Sequence, residues 1–257
     1  MTAPEQPIDR TETRPTISDA FGAALRECFD AGGVPGVTPQ IIERDDGFIE
    51  SNDMAVYFEQ PDQWSELDRW ACDAVRGHIL DIGAGAGRHA LFLQERGHDV
   101  TALDTSHGAV TVCEARGVSK VFEGTIEDLV ATAPAAFHGF VLLGNNLGLL
   151  RDRDYAPRFL EALASIAAPS ATLAGTCIDP YTTQHPEHLA YHDANRSKGR
   201  MAGQVRIRIR HRGVATPWWE YLFASPAELA EFAAPTPWRI VEQKTNGPLY
   251  AMIMRLS

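Results

Sequence analysis

Asp81 closes a short apolar run, His78-Ile79-Leu80-Asp81-Ile82, and Gly83, Gly85 and Gly87 follow it at once. Glycines in a tight turn adopt backbone angles closed to other residues and let the main chain approach a ligand without an intervening Cβ. A helix that starts directly after such a turn presents unpaired N–H groups to a polar or anionic ligand group. A dinucleotide loop would read G-x-G-x-x-G/A, but Arg88 stands at the sixth position here. Asp81, at the mouth of the turn, would repel a pyrophosphate and attract an ammonium group. Asp104 ends the next apolar run, Asp99–Leu103, at the place where an acidic side chain accepts hydrogen bonds from ribose hydroxyls. Together these features describe a nucleoside with an amino-acid arm and no phosphates.

The segment D-I-G-A-G-A-G at Asp81–Gly87, followed by Asp104, resembles the first two cofactor motifs of class I S-adenosylmethionine-dependent methyltransferases. Gly124-Thr125-Ile126-Glu127-Asp128-Leu129 resembles the stretch after the third strand that lies along the adenine, with Thr125 where that family often has Asp. Phe140-Val141-Leu142-Leu143-Gly144-Asn145-Asn146 resembles the fourth strand and its end, which faces the methionine arm and the methyl group. The similarity is strongest over residues 78–180. The resemblance implies S-adenosylmethionine as cofactor and S-adenosylhomocysteine as product. It implies cofactor contacts from Asp81, Gly83, Ala84, Gly85 and Gly87, then from Asp104 and Thr105. Thr125, Ile126, Glu127, Gly144 and Asn145 complete that set.

The elements that must position these residues alternate along the chain. His78–Ile82, a helix through Ala90, Leu91 and Leu93, and Asp99–Leu103 form one right-handed βαβ unit. Ala156–Ala168 is expected as a helix, Ala171–Ile178 as a strand, and Trp238–Lys244 and Leu249–Leu256 as the last two strands. Ser225-Pro226-Ala227-Glu228 starts a helix with an N-cap serine, a first-position proline and a third-position glutamate. The expected fold is α/β, a Rossmann-like seven-stranded sheet, mostly parallel with an antiparallel last strand. Residues 1–16 read as a polar, disordered tail, and 17–76 as an N-terminal cap of helices and a hairpin turning at Asp46-Gly47. Ser65-Glu66-Leu67-Asp68 resembles a capping box ahead of a helix to Val75. Residues 77–257 read as the catalytic domain, with a β-hairpin lid inserted over 180–223.

Composition fits an enzyme of one elaborated domain. The chain has 257 residues, 44% of them hydrophobic, and a formal net charge of −11. Nucleic-acid binding needs cationic surface to displace phosphate counterions, so that partner class is not expected. No apolar run approaches membrane-spanning length, and the first residues lack an apolar signal core. Cys28, Cys72, Cys113 and Cys177 are widely spaced and read as reduced thiols of a cytoplasmic protein. Monomer and homodimer both remain open.

The acceptor is written less clearly. Tyr57 and Trp64 precede the core and would cover the methionine arm; Asn146, Tyr191 and Trp218 are further candidates for the pocket wall. Asn145 and Asn146 stand where amide and adenine methylases carry N/D-P-P-Y/F, which argues against those acceptors. For an acceptor that must lose a proton, His192, Tyr181 and Asp179 are the candidate bases. His185, His188 and His192 would share a helical face and form a metal triad only if joined by a further ligand, so no metal is expected. Arg206, Arg208 and Arg210 alternate with Val205, Ile207 and Ile209 and form either an anion-binding strip or a solvated outer face. The expected function is methyl transfer to an oxygen, nitrogen or carbon of a small molecule, in secondary metabolism. A peptide or protein acceptor, or a non-catalytic nucleotide-binding regulator, are the alternatives.

Overall fold

The computed structural model describes residues 14–132 and 134–257; most of the expected N-terminal tail lies outside them. Two sheets carry the architecture. Seven strands form the first: β4 (His78–Ile82), β5 (Asp99–Asp104), β6 (Lys120–Glu123), β7 (Phe137–Leu142), β8 (Ala167–Ile178), β12 (Trp238–Asn246) and β13 (Leu249–Leu256). Their order is β12-β13-β8-β7-β4-β5-β6, and β13 alone runs against the others. Strands buried on both faces read as continuous apolar runs, as β4 and β7 do. The helices α2 (Glu66–Ala74), α3 (Arg88–Glu95), α4 (His107–Ala115), α5 (Ile126–Ala131), α6 (Tyr155–Ser165) and α8 (Pro226–Ala233) accompany this sheet. Leu80, Phe140, Leu163, Leu173 and Trp238 form one packed cluster, and Ile79, Leu93, Val100 and Val141 another.

The second sheet departs from expectation. Separate cap and lid hairpins were expected; the structure joins them. β1 (Thr16–Ile17), β2 (Pro39–Arg44) and β3 (Ile49–Asp53) combine with β9 (Gln204–His211), β10 (Val214–Ala215) and β11 (Trp219–Leu222). Ile41 pairs with Arg210 and Arg44 with Ile207, while β10 and β11 line the other side of β9. Thr16, expected in the tail, pairs with Val214. The cause is shared amphipathicity: β2 and β9 each have an apolar face that neither hairpin can bury alone.

The helix α1 (Ala20–Asp30) fastens this sheet to the first. Asp19 caps α1 through Gly22 N–H at 2.8 Å and also accepts from Gly108 N–H at 2.9 Å and from the Ser106 hydroxyl. Leu25, Cys28 and Met54 pack with Ala86 and Val112 beneath them. Helix α7 (Pro186–Ser197) is fastened to this sheet, Arg44 donating to the Glu187 carbonyl at 3.1 Å and Asn195 to the Gln204 carbonyl at 2.6 Å. The helix ahead of β8 stops at Ser165, short of the expected Ala168, because Ala167 already pairs with Phe137. Among the described residues no helix is long and apolar enough to cross a membrane.

Candidate active site

A cleft of about 1640 Å³ lies between the carboxyl ends of the core strands and the inner face of the second sheet. Pockets for one small ligand run to about 300–1,000 Å³, so this one has room for two. Its floor is the loop after β4. Gly83 takes φ +72°, and a Cβ there would stand 2.6 Å from the Asn146 amide nitrogen. That amide donates to the carbonyls of Ile82 and Gly83 at 3.0 and 2.8 Å and holds the loop open. Asp104 closes β5 and accepts from Gly85 N–H and Ser106 N–H, each at 2.9 Å. A carboxylate has about four acceptor sites, so two remain for ribose hydroxyls. Burial raises the Asp104 carboxyl to about 6, against these hydrogen bonds.

Asp81 is buried behind the loop, and burial raises it further, to about 7. Its Oδ2, the Asn145 Oδ1 and the His89 Nε2 are buried without a hydrogen-bond partner. Asn145 and His89 border the cleft, and among the described residues each keeps one buried polar atom without a partner. Those unmet atoms, with the free lone pairs of Asp104, fit a nucleoside bearing an ammonium group.

One wall of this half went unseen in the sequence. Asp68 does not cap α2; Ser65 accepts from Leu67 N–H alone, and Asp68 turns inward. It accepts from the Thr176 hydroxyl at 3.1 Å, and its partner Arg88 lies 3.8 Å away. Burial raises the Asp68 carboxyl, and Arg88 opposes the shift. Arg88 donates to the Val56 carbonyl at 2.8 Å and to Glu59 at 3.2 Å. The signal was present: Asp68 shares the inward face of α2 with Leu67, Ala71 and Cys72, and a lone acid there needs a partner.

At the opposite end, Thr125 and Asp128 form the capping box of α5, which leaves Thr105, Thr125, Ile126 and Glu127 along the cleft. The Tyr155 hydroxyl donates to Glu127 at 2.7 Å. Above the floor, Ile42, Val205, Ile207 and Ile209 give the roof an apolar inner face, edged by Trp219 and Tyr221. His192 of α7 borders this half and is 7% exposed. Its pKa is lowered by burial, then by Arg196, so the imidazole is neutral near pH 7.

The expected residues divide between this cleft and other places. Gly83, Ala84, Asp104, Thr105, Thr125, Ile126, Glu127, Gly144, Asn145, Asn146, Tyr57, Trp64, Asp179 and His192 all border it. Gly87 turns the other way, where a Cβ would meet Val118 at 2.8 Å; its role is helix packing. Gly85 is covered by the Tyr57 ring and serves through its N–H. Tyr181 is half exposed and bonded to Glu228 at 2.7 Å, outside the cleft. Tyr191 is buried away from the cleft, its hydroxyl donating to Asp45 at 2.6 Å, and Trp218 lies under the Arg208 guanidinium on the outer face. The neighbouring Trp219 takes the inner position. Asp179 spends its carboxylate on Tyr181 N–H at 3.0 Å. Trp64 packs edge-on against His89 as a wall behind Arg88. The arginine strip faces out, Arg208 and Arg210 pairing with Glu43. His188 shares a hydrogen bond with Thr183, and among the described residues no trio of His, Cys, Asp or Glu is placed to hold a metal.

Residues 79–170 match the family model described as a methyltransferase domain. No curated protein sequence matches the chain. Among solved structures, a SAM-dependent methyltransferase of Bacteroides fragilis, in complex with S-adenosyl-L-homocysteine, superposes with a TM-score of 0.77 at 21% identity. That match covers 96% of this chain and 98% of the other. A SAM-dependent methyltransferase of Methanosarcina mazei gives a TM-score of 0.57 at 16% identity, covering 70% of this chain and 92% of the other. The CcbJ methyltransferase of Streptomyces caelestis gives 0.56 at 15% identity, covering 78% and 98%. At these identities the likeness is one of fold.

Proposed function

We propose that residues 79–170, which match a methyltransferase domain, bind S-adenosylmethionine in the class I manner, and that the chain methylates a small apolar acceptor bound beneath its second sheet. The observation behind this reading is the two-part cleft, polar at the strand ends and apolar under the roof, with a neutral His192 at its edge. A roof made from the chain's own strands favours a small molecule over a folded protein as acceptor. In this reading residues 17–76 are the cap, 77–257 the catalytic domain and 180–223 the chief part of the lid. Four buried, unpaired cysteines fit a reducing, cytoplasmic setting.

Bound at the strand ends, the cofactor supplies a methyl group on a cationic sulfur, already reactive toward nucleophiles. Asp104 would hold the ribose, and Asn145 and His89 would meet the amino-acid arm. Asp81, behind them, contributes negative charge through the loop. The roof excludes water and aligns the acceptor with the methyl carbon, which is where most of the rate would arise. His192 would take the proton from the acceptor's O–H or N–H as that atom forms its bond to carbon. The cofactor's sulfur would keep the electron pair of the carbon–sulfur bond that breaks. A hydroxyl or weakly acidic N–H needs such a base, whereas a carboxylate acceptor does not.

Calorimetry with S-adenosylmethionine, S-adenosylhomocysteine and NAD tests the premise; binding of NAD with neither adenosyl ligand bound would overturn it. Asp104→Ala is expected to weaken adenosyl binding by about 1–3 kcal/mol, the scale of a lost charged hydrogen bond. A methyl-transfer screen against phenols, alcohols, amines, acids and peptides then tests the acceptor class, and transfer to peptides alone would sink the small-molecule reading.

A further inference from the structure

Arg151 is held in a conformation that its side chain disfavours. The backbone there has φ 61° and ψ −60°, and Asp152 N–H donates across it to the Leu150 carbonyl at 2.7 Å. This is a γ-turn with positive φ at its centre, a strained arrangement for any residue with a Cβ. The turn sends the guanidinium back over the Tyr155 ring, with Cζ 4.3 Å from the ring centroid. Tyr155 is in turn tied to Glu127, whose carboxyl Arg151 helps to lower. All three side chains border the cleft at the end formed by Gly124–Glu127.

The lack of an ion pair sets this arginine apart. Three arginines border the cleft. Arg44 is paired with Asp46 at 2.7 Å and Arg88 is held by Glu59 at 3.2 Å. Arg151 forms no ion pair among the described residues, in a protein with a net charge of −11. An unpaired guanidinium maintained at a backbone cost, beside a stacked tyrosine, is a group kept available for a ligand. A planar guanidinium stacks on an aromatic face and donates to ring nitrogens, whereas a lysine ammonium at that site would do neither as well.

We infer that Arg151, backed by the Tyr155 ring, clamps the adenine ring of the cofactor with the other face of its guanidinium, and that the strained turn at Arg151 is what aims it. The inference rests on the methyltransferase reading above, since it places the adenosine along Thr125–Glu127. Strain at a ligand site is retained because the relaxed backbone would carry the guanidinium elsewhere.

Calorimetry with S-adenosylhomocysteine and with adenosine, on the full chain and on Arg151→Ala, Arg151→Lys and Arg151→Gly, tests the clamp. Arg151→Ala should weaken both ligands by the same factor, about three- to thirty-fold, the range for a cation set over an aromatic ring. Arg151→Lys should recover only part of it. Arg151→Gly should lose the same affinity yet melt a few degrees higher, because glycine accepts the positive φ without strain. Unchanged adenosine affinity in Arg151→Ala, with a raised acceptor KM, would overturn the clamp and assign the guanidinium to the acceptor. An unaltered melting temperature in Arg151→Gly would overturn the strain that aims it. If the unaltered chain binds neither ligand, the functional reading fails, and the clamp with it.

Discussion

The Tyr221 hydroxyl donates to the carbonyl oxygen of Asn145 at 2.5 Å, joining the roof strand β11 to the tip of β7. Asn145 itself sits at φ 71°, so its carbonyl is turned up toward the roof and away from the sheet. This bond fixes how far the acceptor half stands above the end of β7. The Tyr221 ring also lies against Gly148, on the floor.

Tyr221→Phe keeps the ring and removes the donor. The Asn145 carbonyl then keeps only its bond from Gly148 N–H at 2.8 Å, and losing the tyrosine donor costs about 0.5–1.5 kcal/mol, the net worth of one hydrogen bond. Thermal denaturation reads that loss. The acceptor KM should rise several-fold more than the cofactor KM, because only the roof is loosened.

Gly148→Ala attacks the same contact from below. A Cβ at 148 would lie 2.1 Å from Tyr221 Cζ, so ring or backbone must move. Overpacking of this kind costs about 1–3 kcal/mol. In a Tyr221→Leu background most of that cost should vanish, and a double-mutant cycle measures the coupling.

The buried carboxyls predict an uncommon pH dependence. Asp81 is raised from 3.8 to about 7 and Asp104 from 3.8 to about 6, both chiefly by burial. Between 3.8 and those values the folded chain keeps protons that the unfolded chain has released. Stability from these two groups is therefore present at low pH and falls as pH rises through that window. The melting temperature of Asp81→Asn, compared with the parent at each pH, should show a flatter decline toward pH 7. A ligand bearing an ammonium group favours the ionised carboxyls, so adenosyl binding should tighten with rising pH and release protons. Calorimetry in buffers of different ionisation enthalpy detects the release.

His192 makes a separate kinetic claim. Burial lowers its pKa, so the base form is already dominant near neutrality. The acid limb of kcat should fall below the ordinary histidine value of 6.5. His192→Gln should remove that limb and lower kcat by about 10²–10⁴-fold, the usual contribution of a general base. S-adenosylhomocysteine affinity should not change. A limb that survives in His192→Gln assigns the base elsewhere.

The first sheet was legible in the sequence because its strands are short apolar runs punctuated by glycine, and Asp81 to Asp104 follow one local rule. The helix start at Ser225 is local too, and Ser225–Glu228 forms as its spacing requires. What was hidden depends on partners far apart in the chain. Asp68 reads as a cap until Thr176 and Arg88 come beside it. Trp218 and Trp219 are adjacent, and which faces inward depends on the register of β11 on β9, where Trp219 meets Ile207. Tyr191 carries the same ambiguity, resolved only when β9 and the Asp45 turn pack beneath it.

The pairing of Ile41 with Arg210 has a consequence for how this protein comes to be folded. The β2–β3 hairpin leaves the ribosome well before β9, which completes it and is made only after five of the seven strands of the first sheet. Pairings so distant in the chain are slow to form, because loop closure precedes any gain from contact. Until then the edge of β2 and its apolar face are open, and an open strand edge invites pairing with other chains. The nascent chain is thus most exposed to aggregation while its N-terminal fifth waits, and a purified fragment ending before residue 204 should be recovered chiefly in aggregates.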